Sequence, residues 1–188
     1  MRRFKRALKP WLARADHVGG RAHPGHRGPG AFCRLMEDLV SELNKVVAHY
    51  ANGKLVKGTT RDFFPNRPTF HLTPPSGPVM EIRCRELKAV FFVRDLIGDD
   101  RRRDLRGFVA GPAETPHGKK IAVAFKDGEL LCGYTLTFTP ERDGFFLFPS
   151  DPGSNNRRVY VMMAATTEVK AGPAAEELAQ RHEGGQAA

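Results

Sequence analysis

Two arginines four residues apart, Arg102 and Arg106, could close on a pair of phosphates. Guanidinium groups bind phosphate oxygens through two parallel N–H donors and stack on flat rings. A second polar cluster runs from Asp151 to Arg158. There Asp151, Ser154, Asn155, Asn156, Arg157 and Arg158 concentrate donors and acceptors in one loop. Adjacent asparagines suit a turn that bonds its own backbone. The same loop, with its arginine pair, would suit a phosphate or carboxylate ligand. His23, His26 and Cys33 could be drawn as a zinc site, but the fourth ligand is missing. The sequence contains no nucleophile elbow, no glycine-rich phosphate loop and no paired-carboxylate signature. The expectation is a non-enzymatic protein with no metal and no cofactor.

The elements that must position these residues come in two copies. Residues 45–75 align with 120–150 without gaps at an offset of 75, with 11 identities in 31 positions. Turn residues alone do not explain the match. Leu55, Phe63, Phe70 and Leu72 recur as Leu130, Phe138, Phe145 and Leu147, alongside Gly53, Gly58 and Pro65 recurring as Gly128, Gly133 and Pro140. Arg67 and Arg142 also match, and as shared positions they read as turn residues that stack on a ring or meet an acid. Positions that only one copy has are the better place to look for function, which favours the loop 151–158.

Within each copy the pattern is that of short strands. Val46, Ala48 and Tyr50 alternate, and Asn52-Gly53 follows as a hairpin signal, answered by Asp127-Gly128. Strands are expected over about 54–63, 69–73, 79–85 and 88–94. In the second copy the last two fall at about 157–163 and 165–169, two residues later than the offset. Gly58 and Gly133 inside the long second strand mark sharp bends. The reading is mainly β: a tandem repeat of two small five-stranded antiparallel barrels, with a short helix at 36–44 before the first. The boundaries are a basic arm at 1–35, a first barrel with its helix at 36–94, a linker at 95–118, a second barrel at 119–170 and a disordered tail at 171–188. Ala89–Val93 is apolar on both faces and is a candidate contact between the copies.

Charge sorts in the same way. The 188 residues carry a formal +9. Nine basic residues against one acid give the first 35 residues +8, which leaves +1 for the remaining 153. Three readings of the arm stand: upstream sequence ahead of a true start at Met36, a disordered basic arm, or a segment that contacts membrane or nucleic acid. Cys33, Cys84 and Cys132 are an odd number and far apart, which favours a reducing compartment, hence a cytoplasmic location. No apolar run reaches the length of a membrane span.

The second copy reads Lys120-Ile-Ala-Val-Ala-Phe-Lys-Asp-Gly-Glu-Leu-Leu-Cys-Gly-Tyr-Thr, then Gly144-Phe-Phe-Leu-Phe-Pro, then Ser154-Asn-Asn-Arg-Arg-Val. With Leu87-Lys-Ala-Val-Phe-Phe-Val-Arg-Asp in the first copy, it resembles an uncharacterised bacterial family of paired small β domains over residues 45–170. At greater distance copy one is similar to Sm-like barrels, through Gly53…Gly58 and the turn Asn66. That resemblance implies RNA binding, but the Arg-Gly after the fourth strand is missing. Arg102 and Arg106 also resemble the Arg-x-x-x-Arg of PilZ-type receptors, which implies cyclic di-GMP as ligand, although the partner motif with its Ser is absent downstream.

The functional expectation is therefore a non-enzymatic binding or regulatory module with a protein or a small polar or anionic ligand as partner. The alternatives are RNA or other nucleic-acid binding through an Sm-like surface, and a PilZ-like cyclic di-GMP receptor.

Overall fold

The computed structural model describes residues 44–99, 101, 102, 105, 107, 108, 114, 115 and 118–185. The first half holds β1 (Asn44–Tyr50), β2 (Leu55–Thr60), β3 (Thr69–Leu72), β4 (Met80–Arg83) and β5 (Leu87–Val93). A short β6 (Glu114–Thr115) precedes the second half: β7 (Gly118–Phe125), β8 (Leu130–Thr135), β9 (Gly144–Pro149), β10 (Asn156–Met162) and β11 (Thr166–Ala171). A 3-10 turn joins β4 to β5 at Cys84–Glu86, and another joins β10 to β11 at Met163–Ala165. One helix, α1 (Pro173–Gly185), follows the strands.

Both hairpins form where the Asn-Gly and Asp-Gly signals stand, but the loop has three residues rather than two. Gly53 donates to the Tyr50 carbonyl at 3.0 Å, and Tyr50 donates to the Lys54 carbonyl at 2.9 Å. Gly53 then closes the turn at φ +86°, where a side chain would be strained. Gly128 does the same at φ +85°. The ladders also agree pair for pair: Val46↔Gly58 and Ala48↔Val90 become Ile121↔Gly133 and Val123↔Val169. The later strands are offset by 79, so the chain between the paired residues Phe145 and Val161 is four residues longer than between Phe70 and Ile82, rather than two.

The strands do not close into two barrels. They form one large antiparallel sheet in the order β11-β7-β8-β9-β10-β5-β1-β2, with β6 also on β7, and a separate β3–β4 pair. The reason is the β5–β10 ladder, in which Phe91 faces Val159 and Val90 faces Tyr160. β5 uses its second edge on the other half's strand instead of on β4. β5 is consequently buried along almost its whole length. Strand alternation sets Val46, Ala48, Val90, Phe92 and Tyr160 on one face of the sheet. It sets Phe145, Leu147, Val159, Val161, Ile121 and Val123 on the other, and all eleven are buried. β5 and β10 thus bury side chains on both faces of the sheet, within one continuous hydrophobic cluster.

The two glycines expected at bends are explained by close approach. A Cβ on Gly58 would stand 2.4 Å from both Leu72 Cδ2 and the Thr73 carbonyl. One on Gly133 would stand 2.2 Å from the Phe148 carbonyl. Thr59 and Thr73 exchange backbone hydrogen bonds at 2.9 and 2.8 Å there, tying β2 to the end of β3.

The helix expected before the strands falls on residues 36–43, which lie outside the described residues, and Asn44 already opens β1. The segment read as a disordered tail instead carries α1. Gly172 turns the chain at φ +67° and Pro173 occupies the first helical position, where its missing N–H costs nothing. Ala175, Leu178 and Ala179 fall on one face and are buried with Ala122 and Cys132. Glu176 accepts from the buried Lys120 at 2.5 Å. Part of the linker is also tied down: Ser150 donates to the Gly107 carbonyl at 2.6 Å, and Phe108 packs edge-on against Tyr134.

Candidate ligand groove

The polar loop after β9 spends most of its groups on its own backbone and on the segment 95–105 beside it. The Asp151 carboxylate accepts from Arg102 at 2.6 Å, from the Leu105 N–H at 3.0 Å and from the Gly153 N–H at 2.8 Å. The Leu105 N–H first, then Arg102, hold this carboxyl below the usual range. Ser154 is buried, and its hydroxyl accepts from the Asn156 N–H at 3.1 Å. Asn155 clamps Asp95 twice, accepting from its N–H at 3.0 Å and donating to its carbonyl at 2.8 Å. Asn156 starts β10 opposite Val93. Arg157 is exposed. Arg158 is half-buried and lies over the rings of Phe92 at 4.5 Å and Phe146 at 5.0 Å. Arg106 lies outside the described residues, as do His23, His26 and Cys33. A recess of about 610 Å³ beside the loop is walled by Arg94 and Arg102 but equally by Asp95 and Asp99, so it offers an anion no net attraction.

The larger concavity lies elsewhere, where the matched turns of the two halves come together. Pro65, Asn66 and Arg67 line one side; Pro140, Glu141 and Arg142, their counterparts at an offset of 75, line the other. The 3-10 turns contribute Cys84 and Arg85 from the first half and Met163 and Ala164 from the second. The groove encloses about 800 Å³.

Its chemistry is graded. Tyr160, Met162 and Leu87 give it an apolar floor, and Tyr160 donates to the Pro65 carbonyl at 3.3 Å, which fixes the ring. Burial, then the charge of Asp143, pushes the Tyr160 phenol up. Arg67, Arg83, Arg85 and Arg142 stand around this floor against two acids, Glu141 and Asp143. Arg67 stacks on the Phe64 ring at 4.7 Å, and Arg83 reaches Glu86 at 3.6 Å. Cys84 is half-buried, and burial pushes its thiol up, away from the reactive thiolate. A floor that includes Tyr160 and Met162, with four arginines around it, makes this concavity the candidate site.

Arg67 and Arg142 were expected to be turn residues that stack on a ring or meet an acid, and Arg67 does stack on Phe64. Their equivalent turns also lie side by side and build a composite surface, for which the identity between copies was the available signal. Among the described residues no cluster of His, Cys, Asp and Glu could hold a metal ion. No described helix is long and apolar enough to cross a membrane.

Fold and groove together define a mainly β protein whose two similar halves share one sheet and one concave site. The chain belongs to a family of unknown function, DUF6982, whose model matches residues 42–172. Comparison with curated proteins and with solved structures finds no match.

Proposed function

We propose that this protein is a non-catalytic binding module that holds an anionic ligand in the groove between the 65–67 and 140–142 turns. The observation that carries the reading is the excess of arginine over acid around an apolar floor of ligand-sized volume. Burial pushes the pKa of the groove's cysteine, Cys84, up, which disfavours the nucleophilic thiolate, and His49 and His71 are not among the lining residues. Binding here needs no bond making, only charge neutralisation at the rim and burial of an apolar or flat group on Tyr160 and Met162.

Single-stranded nucleic acid is the second reading. It is favoured by Arg67, Arg85 and Arg142 standing near an aromatic floor, since bases stack on rings while phosphates meet guanidiniums. Such binding weakens steeply with salt. The two readings separate by titrating the full chain with octauridylate and with hexaglutamate at two salt concentrations. Binding of either that is lost in Arg85→Ala/Arg142→Ala supports the groove. Binding of neither, or binding that the double substitution leaves intact, overturns it.

A further inference from the structure

We propose that copies of this chain join edge to edge, with the outer edge of β11 on one copy pairing with the outer edge of β4 on the next. The chain already contains one such junction. β5, the last strand of the first half, pairs antiparallel with β10, the fourth strand of the second.

The reciprocal edges are β11 and β4. β11 repeats β5: its ladder with β7 matches that of β5 with β1, including the skipped residue, Lys88 in one and Thr167 in the other. β4 repeats β10: Phe70↔Ile82 on β3–β4 matches Phe145↔Val161 on β9–β10. Among the described residues β11 pairs only with β7, and β4 only with β3. Exposure follows pairing. β5 is buried at six of its seven residues, whereas no residue of β11 is fully buried. The last four residues of β10 are buried, whereas β4 buries only Ile82.

A junction between two different strands is head-to-tail, so its two free ends continue onto further copies rather than closing on themselves pairwise. Unpaired strand edges are templates for this addition. The register is set by the existing junction. Phe92↔Arg158, Phe91↔Val159 and Ala89↔Val161 translate to Ala171↔Val79, Lys170↔Met80 and Glu168↔Ile82. No like charges stand opposite each other in that register. It also covers Val79, which is 58% exposed, with Ala171.

The test is cross-linking and mass measurement on the full chain. Val79→Cys mixed with Ala171→Cys, oxidised, should yield a dimer whose disulfide joins those two positions. The double substitution in one chain should yield a ladder of multimers. Light scattering of the unsubstituted chain should give multiples of 20.9 kDa. Val79→Lys with Ala171→Lys sets like charges opposite at accessible positions and should raise the concentration for half-assembly roughly tenfold, with the melting temperature of the dilute, unassembled chain unchanged. A 20.9 kDa species at every concentration, or a 79–171 disulfide formed only within one chain, would overturn the proposal. So would assembly that the two lysines leave unaffected.

Discussion

The Lys88 ammonium, on a buried side chain in the first half, lies 2.5 Å from the Asp127 carboxylate in the hairpin turn of the second. Glu129 from the same turn is its other partner, and the ammonium stands over the Phe125 ring at 4.4 Å. Lys88 reaches across because it is the extra residue where the β1–β5 register skips from His49↔Ala89 to Tyr50↔Leu87. A bulge re-aims the side chain of the residue it adds. The matched position, Thr167, instead donates to the Ala124 carbonyl within its own half. The same backbone irregularity thus packs locally in one half and clamps the two halves together in the other.

Removing the acids and removing the lysine should have unequal effects. Asp127→Asn with Glu129→Gln keeps the turn's shape but leaves a buried charge uncompensated, which costs about 3–5 kcal/mol. Lys88→Met fills the same space with apolar atoms and should stay within about 1 kcal/mol of the parent. Urea unfolding of the variants measures both. Equal losses would contradict the clamp.

Gly58→Ala should destabilise by about 3 kcal/mol, because the obstructing atoms include a backbone carbonyl that cannot swing aside. Gly53→Ala meets no atom within 4 Å, so its penalty comes from φ +86° alone and should be smaller, about 1 kcal/mol. Thermal melts of the two variants rank them.

Helix α1 shields Cys132, which is 6% exposed. Leu178→Ala removes the largest fully buried side chain of the helix and should cost about 2–5 kcal/mol if the site collapses little. It should also speed thiol labelling of Cys132 in native buffer, because local detachment of α1 precedes global unfolding. An unchanged labelling rate would mean that α1 does not guard this face.

Acidification should destabilise in two stages. Burial first, then the Lys88 charge, lowers the His49 pKa, so the unfolded chain takes up this proton before the folded one. Stability is therefore full above the ordinary histidine value, about 6.5, and declines as pH falls below it. Burial pushes Asp127 up, but the hydrogen bonds from Lys88 and the Glu129 N–H outweigh it and hold the carboxyl low. Asp62 is likewise held low by His71 and Thr60 against burial. Their contribution is present above the ordinary carboxylate range and is lost as pH falls through the folded values. His49→Ala, which copies the matched Ala124, should erase the first stage from a plot of melting temperature against pH.

Local structure was legible in the sequence wherever it depends on neighbours in the chain. Asn52-Gly53 and Asp127-Gly128 turn the chain where the residues placed them, and the offset of 75 holds through the β1–β2 and β7–β8 ladders. Closure was not legible. Whether β5 meets β4 or β10 depends on which edge lies alongside, and an apolar run such as Ala89–Val93 suits either neighbour. Helix α1 was missed because its core face is mostly alanine, and Ala175 and Ala179 carry little hydrophobic signal until Ala122 lies beneath them. The loop 151–158 attracted attention through its polar residues, yet Asp151 and Asn155 are polar because they bind their own backbone and its neighbours. The groove needed the third dimension, since its arginines are spread from Arg67 to Arg142.

The most direct test of the groove is a nitrogen-15 NMR titration of the arginine side-chain Nε–H signals. The full chain would be titrated with octauridylate, hexaglutamate and cyclic di-GMP in turn. The groove account predicts that at least one of them shifts Arg67, Arg85 and Arg142 together, leaves Arg158 in place between its rings, and loses its effect in Arg85→Ala/Arg142→Ala. Shifts confined to Arg102 and Arg157, or none at the groove arginines with any of the three, would contradict it.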